Sequence, residues 1–239
     1  MRVVTLTIDG QQLSGRDDES VLQIARAHDI GIPTLCQLDG LSTLGGCRLC
    51  IVEVEGNPKM LPSCTTMASE GMRVHTNSER LHKYRKMIVE MLFSEGNHIC
   101  SVCVSNGNCE LQDMATKLGI DHISLPYRYP QREVDASHDR FVFDPNRCIL
   151  CTRCVRVCDE VEGAHTWDIR GRGINSQLIT DLHQPWGESS SCTSCGKCVQ
   201  VCPTGSLSEK GNGAGEMEKR NDFLVYLAQM RGEKNNGKT

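Results

Sequence analysis

Eight cysteines in two runs of one rhythm constrain this chain more than anything else in it. The first run is Cys148-x2-Cys151-x2-Cys154-x3-Cys158; the second is Cys192-x2-Cys195-x2-Cys198-x3-Cys202, followed at once by Pro203. Thiolates at this spacing hold cubane iron–sulfur clusters, so an electron wire is the first reading, with zinc and disulfide readings well behind. Pro203 turns the chain away after the last cysteine, whereas Asp159 stands at the matching place of the first run and lacks that device. Arg147, Arg153, Arg156 and Lys197 lie beside these cysteines. Such cations can raise cluster potentials by stabilising the reduced, more negative state. Solvated charges and partner contacts are the commoner roles.

The other seven cysteines form two further sets. Cys36-x10-Cys47-x2-Cys50-x13-Cys64 offers a close pair and a distant fourth thiolate, which suits a 2Fe-2S centre. Gly45 and Gly46 precede Cys47, where a backbone free to fold tightly can aim N–H groups at cluster sulfurs. Zinc is the alternative, because C-x2-C pairs bind it as well. The second set is His98-x-Cys100-x2-Cys103-x5-Cys109. Three thiolates are one short of a cubane's requirement, and the His98 imidazole is the nearest candidate for the fourth place. A loop histidine, with backbone or water completing the site, is the alternative. Sets of four, three and eight account for all fifteen cysteines, which leaves none for nucleophilic or redox-switch work.

What surrounds these sets narrows the function. Aromatic residues are only 4% of the 239 residues, so a conventional core is thin; metal centres that crosslink several segments can replace part of it. An odd number of cysteines argues against a closed disulfide framework. The N-terminus alternates as a strand and lacks the apolar h-region of a signal peptide. No apolar run approaches the roughly 18 residues of a spanning helix. A reducing, cytoplasmic setting without a membrane is therefore expected. The net charge of −4 gives no support for nucleic-acid binding. No G-x-G-x-x-G stands between a strand and a helix, and no Walker A sequence or acid–base constellation is present. A chain that stores electrons but cannot begin or end a two-electron reaction needs partners.

Along the chain, residues 1–77 read as a compact α+β unit. Val4, Leu6 and Ile8 alternate, Asp9-Gly10 signals a hairpin, and Ser20 caps a helix carrying Val21, Leu22, Ile24 and Ala25. Strands are expected at Ile51–Val54 and Met72–His75. In 78–120, Leu81, Tyr84, Ile88, Met91 and Leu92 predict an amphipathic helix over Glu79–Ser94, with Arg80, Lys83, Arg85 and Lys86 on a solvated face. A second helix is expected from Glu110 to Leu118, closed by Gly119. Residues 121–140 read as a linker wrapping another surface, and 141–209 as the double-run module with an insertion at 159–191. The tail, 210–239, opens with a flexible Gly211–Gly215 spacer. Phe223, Leu224, Leu227 and Met230 then share one face of a short helix, docking on this protein or a partner or closing its own domain, before a polar, frayed end.

The double run resembles that of bacterial two-cluster ferredoxins, in which three cysteines of each run hold one cubane and the fourth crosses to the other. The resemblance implies Cys148, Cys151 and Cys154 with Cys202, and Cys192, Cys195 and Cys198 with Cys158. The order of sites over residues 1–210 resembles the N-terminal electron-transfer part of the 75-kDa subunit of NADH:quinone oxidoreductase (complex I). That module recurs in iron-only hydrogenases, in some NAD-dependent formate dehydrogenases and in the small diaphorase subunit of NAD-reducing nickel–iron hydrogenases. Cys36, Cys47, Cys50, Cys64, Cys100, Cys103 and Cys109 match its ligand pattern. The complex I spacing H-x3-C would put histidine at Gly96; this chain has His98 instead, in a text, Glu95-Gly-Asn-His98-Ile-Cys100, that looks most like the hydrogenase subunit.

The resemblance implies a β-grasp 2Fe-2S domain, a small helical His/Cys 4Fe-4S domain and a C-terminal ferredoxin-like domain with two 4Fe-4S clusters. It also implies an iron–sulfur electron relay of a soluble NAD-reducing hydrogenase. Electrons would enter through the ferredoxin-like pair from the hydrogenase small and large subunits that hold the NiFe centre. They would pass the histidine-ligated cubane to a diaphorase subunit with FMN and the NAD site. An equivalent relay in a formate dehydrogenase or complex I-like assembly is the second reading, and a zinc-stabilised interaction scaffold is the third.

Overall fold

The computed structural model describes residues 2–230, and the side chains of 228–230 lie outside that description. The described chain forms two compact units. One comprises residues up to 37, 43–88 and, of the described tail, 227–230; the other comprises 38–42 and 89–226.

The first unit is built on a hairpin. Strand β1 (Val3–Ile8) pairs antiparallel with β2 (Gln11–Arg16), and Ile8 faces Gln11 across the turn. Asp9 and Gly10 both have positive φ, 48° and 83°, the two-residue turn whose twist matches that of the strands. Helix α1 (Val21–Ala27) starts in a capping box between Ser20 and Gln23. Strands β3 (Ile51–Val54), β4 (Leu61–Pro62) and β5 (Arg73–His75) complete a sheet of order β2-β1-β5-β3-β4, with β5 parallel to β1. Leu6, Ile8, Val52 and Val74 from the sheet and Val21, Leu22 and Ile24 from α1 are buried together. At Gly15 the helix comes so close that an added Cβ would lie 2.2 Å from Ile24 Cδ1.

Helix α2 (Glu79–Glu95) forms as the apolar periodicity predicts, with a different inner face. Leu81 and Val89 are buried, but Tyr84 and Met91 are exposed and Arg85 is buried. The expectation of a solvated Arg85 is thus corrected: its guanidinium donates to the carbonyls of Leu49 (3.0 Å), Ile51 (2.7 Å) and Thr76 (2.9 Å). Three backbone acceptors offset its desolvation, and periodicity could not distinguish an arginine with such a socket from one in water.

The second unit contains α3 (Glu110–Lys117), the pair β6 (Phe141–Phe143) and β9 (Leu207–Glu209), and the hairpin β7 (Trp167–Arg170) and β8 (Gln177–Thr180). Two short helices, α4 (Arg153–Arg156) and α5 (Lys197–Val201), each begin inside a cysteine run. The core holds Val157, Val199, Val201, Leu207 and an aromatic group of Phe141, Phe143, Trp167 and Trp186. The tail departs from the flexible spacer expected of it. Gly215 N–H donates to Cys103 O and Met217 N–H to Val104 O, both at 3.0 Å, and Met217 is buried. Helix α6 (Phe223–Met230) forms, and Leu224 is buried in this unit's core. The expected polar end after Met230 lies outside the described residues. No helix among the described residues is long and apolar enough to cross a membrane.

Candidate iron–sulfur sites

In the first unit four thiols arrive as two pairs. Cys36, Cys50 and Cys64 are buried, and Cys47 is half-buried in the irregular loop ahead of β3. Cys47 N–H points at Cys36 Sγ (3.4 Å), and the Cys50 and Cys64 sulfurs are 3.3 Å apart. Within each pair the shared hydrogen bond splits the acidities. It holds the Cys47 thiol down to about 5 and the Cys50 thiol to about 7, while Cys36 and Cys64 are pushed up. Two thiols per pair, one of each poised to ionise, match two irons with two terminal thiolates each. Arg85 braces this loop through the carbonyl of Leu49, the residue before Cys50.

In the second unit His98, Cys100, Cys103 and Cys109 line one cavity with Phe93, Leu111, Arg147 and Gly205. His98 Nε2 is buried without a hydrogen-bond partner, while the ring makes a backbone hydrogen bond with Leu92. Burial first, and then the Arg147 charge, hold its pKa down to about 4. The imidazole is therefore neutral near pH 7, as a metal ligand must be, and a second ring contact to the backbone is the usual support of such a ligand. A Cβ at Gly96 would lie 2.4 Å from His98 Nε2, so the ring fills the space that a side chain at 96 would need. At Gly205 a Cβ would meet Cys103 Sγ at 2.4 Å, which explains a residue without a side chain in that wall.

The two runs line two more cavities, and each draws its fourth thiol from the other run. One is ringed by Cys148, Cys151, Cys154 and Cys202, the other by Cys158, Cys192, Cys195 and Cys198. The backbone repeats itself to make them. Leu150 and Ser194 have φ of 51° and 56°, and Thr152 and Gly196 have 58° and 75°. Alternation through the left-handed region curls a peptide into a concavity lined with N–H groups, which suits an anionic cluster. Leu150 and Thr152 adopt it without the freedom of glycine. Burial pushes the Cys148 thiol up to about 12 and those of Cys151 and Cys109 to about 11. Iron in place of the protons would relieve that crowding. Four thiols ringing a space suit a polynuclear group.

The cations beside the cysteines are not the solvated charges they most often are. Arg153 and Arg156 are buried. Arg153 reaches Glu110, next to Cys109, with Nη2 2.8 Å from Oε2, and Arg156 binds the carbonyls of Ser42 and Cys151. Arg147 pairs with Asp144 at 2.8 Å, and Lys197 pairs with Glu162. Three contributors escaped the sequence analysis. Thr204 lines both the His98 cavity and the Cys202 cavity. Trp186 points its indole N–H at Cys192 Sγ, 3.3 Å away. Lys219 donates to the carbonyls of Cys202 and Thr204. Only Trp186 left a trace, as one of two tryptophans in an aromatic-poor chain.

Comparison with known proteins agrees with this chemistry. Residues 1–79 match a 2Fe-2S iron-sulfur cluster binding domain, 85–124 the NADH-ubiquinone oxidoreductase-G iron-sulfur binding region, and 141–208 the ferredoxin-like domain of NADH-quinone oxidoreductase subunit 3. The fold and its thiol sets thus define an iron–sulfur protein with 2Fe-2S and 4Fe-4S binding domains. Over 229 residues the chain is 32% identical to the gamma subunit of the NAD-reducing hydrogenase HoxS of Cupriavidus necator, covering 95% of this chain and 96% of that one. It belongs to that family of NAD-reducing hydrogenase iron–sulfur subunits. A chain in the crystal structure of an NAD+-reducing NiFe hydrogenase in the H2-reduced state superposes with a TM-score of 0.83 at 37% identity, covering 88% of each chain. The chain is also 36% identical to the HndD subunit of the NADP-reducing hydrogenase of Solidesulfovibrio fructosivorans over 87% of its length, but spans only 36% of that protein. It is 35% identical to the alpha subunit of the NADPH-Fe(3+) oxidoreductase of Geobacter sulfurreducens, again over 87% of its length, and spans 24% of that protein.

Proposed function

We propose that this chain is the iron–sulfur relay of a cytoplasmic NAD-reducing hydrogenase, with no catalytic site of its own. It passes electrons between hydrogenase small and large subunits, which hold a NiFe centre, and a diaphorase subunit carrying FMN and the NAD site. The observation that carries this reading is the near end-to-end match to the HoxS gamma subunit; the larger relatives extend far beyond this chain. In the proposal residues 1–77 are a β-grasp domain in which Cys36, Cys47, Cys50 and Cys64 hold a 2Fe-2S cluster. His98, Cys100, Cys103 and Cys109 hold one 4Fe-4S cluster in residues 78–120. Cys148, Cys151, Cys154 and Cys202 hold a second in residues 141–209, and Cys158, Cys192, Cys195 and Cys198 hold a third. The paired thiols, the buried unpartnered Nε2 of His98 and the two rings of crossing thiols support these assignments.

Bound clusters supply one-electron steps that let two distant two-electron half-reactions communicate. The polypeptide spaces them, excludes water and sets potentials through buried cations and N–H groups. Chemical analysis tests the cofactor content: anaerobically purified protein is expected to hold about 14 irons and as much acid-labile sulfide, as one 2Fe-2S and three 4Fe-4S clusters require. A colourless, zinc-loaded, sulfide-free protein would make it a scaffold instead. Assay of the assembled complex tests the role. Hydrogen-dependent NAD+ reduction should vanish without this chain and return when it is added back; copurification with formate dehydrogenase or quinone-reductase subunits instead would reassign it.

A further inference from the structure

The tail crosses two cluster cavities of the second unit. Gly215 N–H donates to Cys103 O and Met217 N–H to Val104 O, each at 3.0 Å, on the loop of the His98 cavity. Two residues beyond the buried Met217, the Lys219 ammonium donates to the carbonyls of Cys202 and Thr204, on the loop of the neighbouring cavity. Arg220 N–H then binds Gln200 Oε1 at 2.8 Å. The two loops also touch directly, through Glu110 N–H and Pro203 O at 3.0 Å. One hydrogen bond thus joins the backbone beside Cys109 to the backbone beside Cys202. The strap lies beyond the matched ferredoxin-like domain, which ends at residue 208.

We propose that residues 213–220 form a clasp holding these two ligand loops in register, and that Lys219 is a positioning residue whose charge sets the potentials of both flanking cubanes. The inference rests on the proposal that these cavities hold clusters. Arg147 and Arg153 each bring a carboxylate partner, Asp144 and Glu110, so much of their field is cancelled. Lys219 is met by two carbonyls, and among the described residues no carboxylate pairs with it. Its ammonium sits on the carbonyls of Cys202 and Thr204, and Thr204 lines both cavities, so the charge lies at the seam of the two sites. A positive charge at this seam favours the electron on either side of it, because reduction makes a cluster more negative.

Redox titration of the full anaerobic chain, followed by EPR, tests the idea with three variants. Lys219→Gln keeps a donor for the carbonyls and removes the charge, Lys219→Met removes both, and Lys219→Arg keeps the charge. The Gln and Met variants are expected to lower the potentials of the two cubanes at the seam. At a fixed poise the ratio of reduced to oxidised cluster should fall about tenfold, which is about 59 mV for one electron. The 2Fe-2S centre and the cubane at Cys192 should hold their potentials, and the Arg variant should match the native protein. Amide hydrogen exchange on the native protein gives an independent readout: Gly215 and Met217 should be protected. Unmoved potentials in Lys219→Gln, an equal fall at all four centres, or unprotected amides would overturn the clasp. Absence of any cluster signal would instead defeat the relay proposal, so the two failures are distinguishable.

Discussion

Arg153, buried between Cys151 and Cys154 of one run, holds both carboxylate oxygens of Glu110, the residue after Cys109 of another set. The pair ties two cysteine-bearing loops together across a sequence separation of 43 residues. Neutralising one partner of a buried pair leaves an uncompensated charge. Glu110→Gln is therefore expected to destabilise by about 2 kcal/mol, since the glutamate is half in water and screened. Guanidinium denaturation would read this. Combining it with Arg153→Met should restore much of the loss, and additive losses would show that the two side chains are not coupled.

Arg85 makes a different prediction. Arg85→Met leaves three carbonyls without their donor, at a cost of about 3 kcal/mol. Because one of them is Leu49, beside Cys50, the 2Fe-2S signal should be lost first on mild heating while the cubane signals persist. EPR after a temperature step checks this, and simultaneous loss of all signals would contradict it.

The neutral state of His98 gives a pH dependence. Its folded pKa lies near 4, below the unfolded value of 6.5. Unfolded chains therefore bind more protons between those limits, and the stabilisation His98 provides is complete above about pH 6.5 and fades as pH falls towards 4. The rate of bleaching at its site should rise through this window. His98→Cys should lose that part of the pH dependence, and the potential of the site should fall, because thiolate is more anionic than imidazole. Unaltered spectra and potential in this variant would show that His98 is not a ligand.

Trp186 donates its indole N–H to Cys192 Sγ while stacking on Phe141 and meeting Trp167 edge-on. Trp186→Phe keeps an aromatic ring and removes the donor. An N–H directed at a ligand sulfur stabilises the reduced cluster, so the potential of the cubane at Cys192 should fall while the others hold. EPR-monitored titration decides it.

How much of this was legible beforehand follows from the range of each interaction. The hairpin at Asp9-Gly10, the helix cap at Ser20 and the helix expected over Glu79–Ser94 rest on neighbours in sequence, and the structure forms all three, the last as Glu79–Glu95. The inner face of α2 was misjudged because Arg85 has a socket of three carbonyls, two of them more than 30 residues away. The tail read as a spacer because glycines permit flexibility; nothing local shows that Gly215 and Met217 find acceptors on the Cys103–Val104 loop.

Thiol number and spacing are covalent facts, and by themselves they determined that this chain offers its sulfurs in grouped sets suited to iron. Which thiols share a cavity, which arginines leave water and where Lys219 delivers its charge were decided only by the tertiary structure. The reason is physical: ligand type is a property of one residue, whereas burial and electric field depend on everything the fold brings within a few ångströms of it.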